Sequence, residues 1–202
     1  MAHSESQILS LLDDSLAGGV TPEEAPARDR LTGMLSREAL LARLEQSLIR
    51  AAAQPRNGFA LLLLDLDRFK LVNHAYGHEA GDLLLRQVAD RIRMTSRATD
   101  AVLPATRGNA AARLGGDEFV VVCEEVDASS AVALGRRLQA AIRLPLTVGG
   151  VRHVLSASIG IALGHTDPDT LLGNADAAVY RAKAGGGARV ELFPERSGGR
   201  RD

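Results

Sequence analysis

The sequence predicts an α+β domain, one sheet with helices packed over it. Three observations predict it. "FALLLLDL" (59–66) is an apolar run too short for a buried helix and suits a central strand covered on both faces. Several segments place Leu, Val and Ile at helical spacing, among them Leu84, Val88 and Ile92, each four residues apart. The two kinds alternate as helix, strand, helix, strand, strand, helix, strand, helix, strand, with no tandem repeat and no heptad pattern, so one sheet must gather the strands. A chain of 202 residues suits one such domain with some tail to spare.

Residues 1–27 are small, acidic and proline-containing, and read as a leader or linker, poorly ordered, although "ILSLLDDSLAG" is compatible with a short helix. "SREALLARLEQSLIRAAAQ" (36–54) is a helix with Ser36 as its N-cap. "RNG" ends it, and the 59–66 strand follows. "GHEAGDLLLRQVADRIRMTSR" (77–97) is an amphipathic helix, and "LPATRGNAA" (103–111) a loop. "EFVVVCEEV" (118–126) is a strand, and "ASSAVALGRRLQAAIRL" (128–144) a helix stopped by Pro145. "LTVGGVRHVLSASIGIAL" (146–163) reads as a hairpin around Gly149-Gly150 leading into a long strand. "DPDTLLGNADAAVYRAKAGGG" (167–187) is a helix capped by Asp167 or Asp169 and stopped by glycines. "ARVELF" (188–193) is a last strand, and 194–202 a polar tail.

Hydrophobic content of 46% and charged content of 24% are those of an ordinary globular protein. A net charge of -1 argues against a broad nucleic-acid surface. Cys123 is the only cysteine, which excludes an internal disulfide and points to a reducing compartment. No apolar run is long enough to span a bilayer, and the N-terminus lacks the order of a signal peptide. The expectation is a cytoplasmic chain, or the cytoplasmic part of something larger, without direct membrane contact. Of 24 basic residues only Lys70 and Lys183 are lysines, leaving 22 arginines. A lysine kept against that bias hints at a need for a compact ammonium.

Two acidic clusters stand at strand ends. Asp65 and Asp67 flank Leu66 where the apolar strand runs out, and a period of two puts both side chains on one face. Asp117 and Glu118 lie at the mouth of the "EFVVV" strand behind Gly115-Gly116. Carboxylates grouped on one face are costly unless a cation neutralises them. If the strands are neighbours, Asp65 and Asp117 converge, and hard oxygen ligands of this kind suit Mg²⁺ or Mn²⁺. Solvated strand-end acids are the alternative. The glycines permit a tight turn and clear bulk for a ligand, or form an ordinary hairpin turn.

"RLGGDEFVVV" (113–122) contains a five-letter signature, and the chain resembles the diguanylate cyclases named GGDEF after it. "DRLTGMLSR" (29–37), "DLDRFKLVNHAYGHEAGD" (65–82), "SASIGIAL" (156–163) and "ADAAVYRAKA" (175–184) are similar to further family segments, in the right order over residues 28–193. The resemblance implies a fold like the polymerase palm and the class III nucleotidyl cyclase core: a mainly antiparallel five-stranded sheet with a ferredoxin-like βαββαβ core. It implies condensation of two GTP into cyclic di-GMP with release of two pyrophosphates. Two subunits of a transient homodimer would face each other, each ribose 3′-hydroxyl attacking the other's α-phosphate in a two-metal displacement.

What the resemblance implies for single residues follows its motifs. Asp65, Asp117 and the Leu66 carbonyl match the metal ligands. Asp117 matches the proton acceptor, with Glu118 a second candidate. Gly115 and Gly116 give the substrate access to the backbone. Asn73 and Asp82 match the guanine-reading pair, where a carboxylate takes two donors that adenine does not offer together. His78 lies between them. Phe69 and Lys70 open a segment whose backbone amides and ammonium would meet the β- and γ-phosphates, and Lys183 matches a second phosphate lysine. Taken singly, Asn73 is equally a helix or turn cap, Asp82 a helix-start acid and Lys183 a helix-end cation.

The chain departs from the family pattern twice. "AKAGGGARV" (182–190) places Gly187 where the resemblance expects an arginine, with Arg189 displaced by two. Arg97 and Asp100 spell the R-x-x-D associated with product inhibition, with Arg137 as a partner, but "AVLPATRGNAA" separates them from the signature. The expectation is an active Mg²⁺-dependent cyclase cut from a longer protein with sensor or EAL domains. The alternative is a weak or inactive domain binding GTP or cyclic di-GMP as the regulatory half of a larger GGDEF–EAL protein.

Overall fold

Seven apolar residues, one aromatic and six aliphatic, with a single acid and no breaker among them, make β1 (Phe59–Leu66) the middle of the molecule. The computed structural model describes residues 27–53, 58–97, 109–164 and 167–194. In chain order the elements are α1 (Arg37–Ala53), β1, α2 (Phe69–Arg97), β2 (Ala110–Gly115), β3 (Glu118–Glu124), α3 (Ala128–Arg143), β4 (Leu146–Val148), β5 (Val151–His153), β6 (Ala157–Leu163), α4 (Pro168–Ala184) and β7 (Val190–Leu192). The five-stranded sheet has the order β2-β3-β1-β6-β7. All its neighbours are antiparallel except β6 and β7. β1, β2, β3 and β6 therefore form the ferredoxin-like core, and β7 extends its edge.

Alternation along β1 splits the core into two layers. Ala60, Leu62, Leu64 and Leu66 pack with residues of α2 and α3, such as Val88, Ile92 and Leu138. Phe59, Leu61 and Leu63 pack with Leu40 and Leu44 of α1 and Leu171, Ala175 and Val179 of α4. Each large side chain buried in this way stabilises the fold by about 1.5–3 kcal/mol. The α4 layer lies unusually close to β6, because a Cβ at Gly160 would fall 2.0 Å from the Ala175 carbonyl oxygen.

Helix starts follow their side chains. Ser36 Oγ accepts from the Ala39 amide, and Asp167, rather than Asp169, caps α4 through the Thr170 amide. Three sequence boundaries move. α2 begins at Phe69 and not at 77, because two extra helical turns precede a break at Gly77 (φ 82, ψ 163). The strand expected over 118–126 ends at Glu124. The strand expected to run on from the hairpin is divided: β4 and β5 form their own two-stranded sheet, and β6 starts only at Ala157. The leader helix and the polar tail lie outside the described residues, as does most of the 103–111 loop, whose last two residues already belong to β2.

Candidate active site

β1 and β3 are antiparallel neighbours, and their register sets Asp65 opposite Glu118. The Leu66 amide donates to the Asp117 carbonyl at 3.2 Å, which closes the ladder where the glycine turn begins. Gly115 (φ 148) and Gly116 (φ 50) form that turn, and a Cβ on either would meet nothing within 4 Å, so the backbone is open to an approaching group. Asp65 belongs to the face of β1 that carries Leu61 and Leu63, the face covered by α4. From the end of α4, Lys183 Nζ reaches Asp65 Oδ2 at 2.6 Å.

Burial pushes the Asp65 carboxyl above its ordinary range; Lys183 pulls it back, while Asp117 and Asp67 push it up again. Burial also raises Glu118, and repulsion from Asp65, Asp117 and Asp176 adds to it, with Lys183 opposing. Five acids and one lysine thus share a local field. Asp67, one of the two acids that alternation sets on this face, is engaged elsewhere. It accepts from Ser156 Oγ and Ser158 Oγ, both at 2.6 Å, and from the Ala188 amide at 3.0 Å. Among the described residues no three His, Cys, Asp or Glu side chains form a ready-made metal cage. Mg²⁺ does not require one, since it keeps waters and takes one or two carboxylates together with substrate phosphates. The half-buried, mutually repelling carboxylates of Asp65 and Asp117 fit that demand, with Lys183 partly offsetting the negative charge at Asp65.

Beside the acids a cavity of about 660 Å³ opens between the β1–α2 turn, the segment before β6 and the end of α4. Arg68, Lys183, Gly186 and Gly187 line it. Phe69 is buried in the core, so only its backbone is available to a ligand. Lys70 is exposed on the first turn of α2. Further along, Asn73 Oδ1 is buried without a hydrogen-bond partner, a cost of about 1–3 kcal/mol unless a donor arrives. Asp82 is half-buried near it in sequence, and His78 is exposed just after the Gly77 break. Arg137 Nη2 donates to the Thr95 carbonyl at the end of α2, at 3.4 Å. The Arg97 side chain and Asp100 lie outside the described residues.

With this geometry in hand, comparison with known proteins is decisive. A family model described as "Diguanylate cyclase, GGDEF domain" matches residues 26–189. The chain belongs to the GGDEF family. A bifunctional diguanylate cyclase/cyclic di-GMP phosphodiesterase, MucR of Pseudomonas aeruginosa, is 46% identical over 158 residues, 77% of this chain and 22% of that protein. The response regulator PleD of Caulobacter vibrioides is 35% identical, covering 87% of this chain and 36% of that protein. This GGDEF domain thus spans about a fifth to a third of the length of such relatives. Among solved structures, the GGDEF domain of TpbB (YfiN) from Pseudomonas aeruginosa superposes with a TM-score of 0.74 at 34% identity, covering 83% of this chain and 94% of that one. The GGDEF domain of DgcB from Caulobacter crescentus, in complex with c-di-GMP, also gives 0.74, at 26% identity, with 84% and 97% covered.

The structure also brings in residues that sequence reasoning passed over. Arg113, just ahead of the GGDEF signature, donates to the Gly116 carbonyl through Nε at 3.1 Å and Nη2 at 2.7 Å, and pairs with Asp29. Asp176 adds to the field on Glu118, and the signal was present: it stands seven residues before Lys183, two turns back on the same helix face. Ser156 and Ser158 carried no sequence signal, because their role depends on Asp67 arriving from β1.

Proposed function

We propose that this domain is a diguanylate cyclase, joining two GTP into cyclic di-GMP and releasing two pyrophosphates. In each of the two reactions a 3′-oxygen bonds to the α-phosphorus of the other GTP, the α–β bridging bond breaks, and the 3′-hydroxyl proton leaves. The observation that carries the reading is the register of Asp65 opposite Glu118, with Asp117 at the adjoining turn and Lys183 2.6 Å from Asp65, beside a cavity of about 660 Å³. Asp65, Asp117 and the Leu66 carbonyl would hold Mg²⁺ or Mn²⁺, which supplies neutralisation of charge on the phosphate oxygens. Asp117, with Glu118 beside it, accepts the proton. The backbone at Gly115 and Gly116 leaves room for the substrate, while the amides from Phe69 and the ammoniums of Lys70 and Lys183 meet the β- and γ-phosphates.

The unpartnered Asn73 Oδ1 supports a guanine subsite, because guanine offers N–H donors on its Watson–Crick edge. Asp82 reads the same edge, and His78 lines the approach. The reaction needs a transient homodimer, since each site holds one GTP. Product inhibition through Arg97, Asp100 and Arg137 belongs to the same reading. So does attachment to sensor or EAL domains in a cytoplasmic setting, with no nucleic-acid or membrane partner. No described helix is long and apolar enough to cross a membrane.

Gly187 favours a second reading, a regulatory domain that binds GTP or cyclic di-GMP without turnover. A relative 36% identical over 168 residues is a cyclic di-GMP phosphodiesterase, PdeR of Escherichia coli. One experiment separates the two. The protein is incubated with GTP and Mg²⁺ and the products are resolved by chromatography, beside Asp117→Ala. Cyclic di-GMP from the parent and none from the variant supports the cyclase; nucleotide binding without product supports the regulatory domain.

A further inference from the structure

The cavity beside the acids has a charge pattern of its own. Its ionisable lining is Asp67, Arg68 and Lys183. Asp67 is spent: its two oxygens already take Ser156, Ser158 and the Ala188 amide. Lys183 divides its charge, because its ammonium also sits 2.6 Å from Asp65. Arg68 is different. It is exposed, and among the described residues its guanidinium has no hydrogen-bond or ion-pair partner. Its backbone is left-handed at φ 58, an unfavourable conformation for a non-glycine residue that costs of order 1–3 kcal/mol and recurs at ligand-binding turns. Here it occurs where β1 passes into α2, at the wall of the cavity.

The neighbouring guanidinium is not available for the same task. Arg189 does not line the cavity. Its side chain folds back over the helix end, with Nη1 2.4 Å from where a Cβ on Gly185 would stand, and it faces Glu191 at 3.9 Å. Gly187 brings no side chain, and a Cβ there would lie 3.1 Å from Asp67 Oδ1. A polyphosphate entering this cavity would therefore meet one lysine shared with an acid and one unshared arginine. A planar guanidinium with paired donors is the side chain best matched to phosphate oxygens.

We propose that Arg68 binds the terminal phosphate of the nucleoside triphosphate, serving as the guanidinium that position 187 does not supply. This rests on the cyclase reading of the site, and the test keeps the two apart. GTP and GDP binding with Mg²⁺ is measured by calorimetry, and GTP turnover is followed, for the parent, Arg68→Ala, Arg68→Lys and Arg189→Ala. Loss of a charge-assisted contact weakens binding by about tenfold to a hundredfold. The expected result is a loss of that size in GTP affinity and a matching rise in KM for Arg68→Ala, with kcat nearly unchanged. GDP affinity should change far less, Arg68→Lys should recover part of the loss, and Arg189→Ala should match the parent. Equal GTP affinity in Arg68→Ala and the parent overturns the proposal, as does an equal loss for GTP and GDP or a loss confined to Arg189→Ala. A parent that binds GTP more tightly than GDP but makes no cyclic product overturns the cyclase reading and leaves the affinity comparison to decide Arg68.

Discussion

Arg113 and Asp29, 84 residues apart, form an ion pair with Nη1 3.1 Å from Oδ2, and the same guanidinium holds the Gly116 carbonyl. Both side chains are largely buried, at 12% and 21% exposed. Asp29 also accepts from the Thr32 amide at 2.8 Å and Thr32 Oγ1 at 2.6 Å. The opening "DRLTG" segment is thus tied directly to the signature turn. Arg113→Ala should lose about 1–3 kcal/mol of stability, since Asp29 and the Gly116 carbonyl both lose a charged donor. Arg113→Lys should recover little, because a single ammonium cannot serve a carboxylate and a carbonyl in that forked arrangement. Denaturant midpoints for the three proteins check this, and Arg113→Ala should also turn over GTP more slowly as the turn loosens.

The two ends of β3 carry glutamates with opposite electrostatics. At Glu124 burial alone would raise the carboxyl, but hydrogen bonds from Arg50 and Ser47 outweigh it and hold it below the ordinary 4.5. Its contribution is present above the unfolded value and is lost as pH falls through the folded one. At Glu118 burial and three neighbouring acids raise the carboxyl, so its charged form costs stability at neutral pH. That cost shrinks as pH falls through the raised folded value and is gone below the unfolded one. Glu124→Gln should therefore destabilise and Glu118→Gln stabilise at pH 7, each on the order of 1 kcal/mol, or about 2–4 °C in Tm for a domain of this size. Between pH 7 and pH 4 the Glu118 effect should fade, while the Glu124 effect should persist and be lost only as pH falls through its lowered folded value. Thermal melts across that range check the signs, and equal signs at pH 7 would contradict the assignment.

How far the sequence alone reaches is plain from these residues. β1 and the acids at its end were legible because seven apolar positions and a period of two need no partner to be interpreted. The order of elements and the family segments were legible for the same local reason. The early start of α2 was not, because Gly77 reads as a boundary and hides that Phe69, Val72 and Tyr76 already stand at helical spacing. Arg113–Asp29 and Asp67–Ser158 were not, because each pair joins segments that only the sheet brings together. The separation of β4–β5 from β6 was hidden by alternation that continues across the break at 154–156.

Gly81 is a sharp test of the guanine subsite. A Cβ there would fall 1.8 Å from Asn73 Oδ1 and 3.3 Å from Phe69 Cζ. In a helix interior Gly to Ala gains up to about 1 kcal/mol of propensity. Asn73 can rotate away, so the fold should survive Gly81→Ala while the buried acceptor is displaced. The expected outcome is a Tm within a few degrees of the parent, about tenfold weaker GTP binding and a smaller preference for GTP over ATP. Asp82→Ala should reduce that preference as well. Competition binding with the two nucleotides measures it, and an unchanged preference in both variants would remove Asn73 and Asp82 from base recognition.

Under the proposed cyclase reading each site binds one GTP and cannot offer a second ribose oxygen in line with its own leaving pyrophosphate, so that reading requires two chains. While dimers are a minority, the dimer concentration grows as the square of total protein, and activity per chain should rise in proportion to protein concentration. A concentration-independent specific activity would mean either a permanent dimer or a single-chain reaction, and sedimentation distinguishes these. Mixing gives a stronger test. Asp117→Ala added in excess captures parent chains in mixed dimers with one competent site. Such a dimer can form one phosphodiester bond and not the second, so cyclic di-GMP should fall in proportion to the parent–parent dimers lost while a linear guanosine dinucleotide accumulates. Undiminished cyclic product under a large excess of the variant would show that the two sites do not act across a dimer.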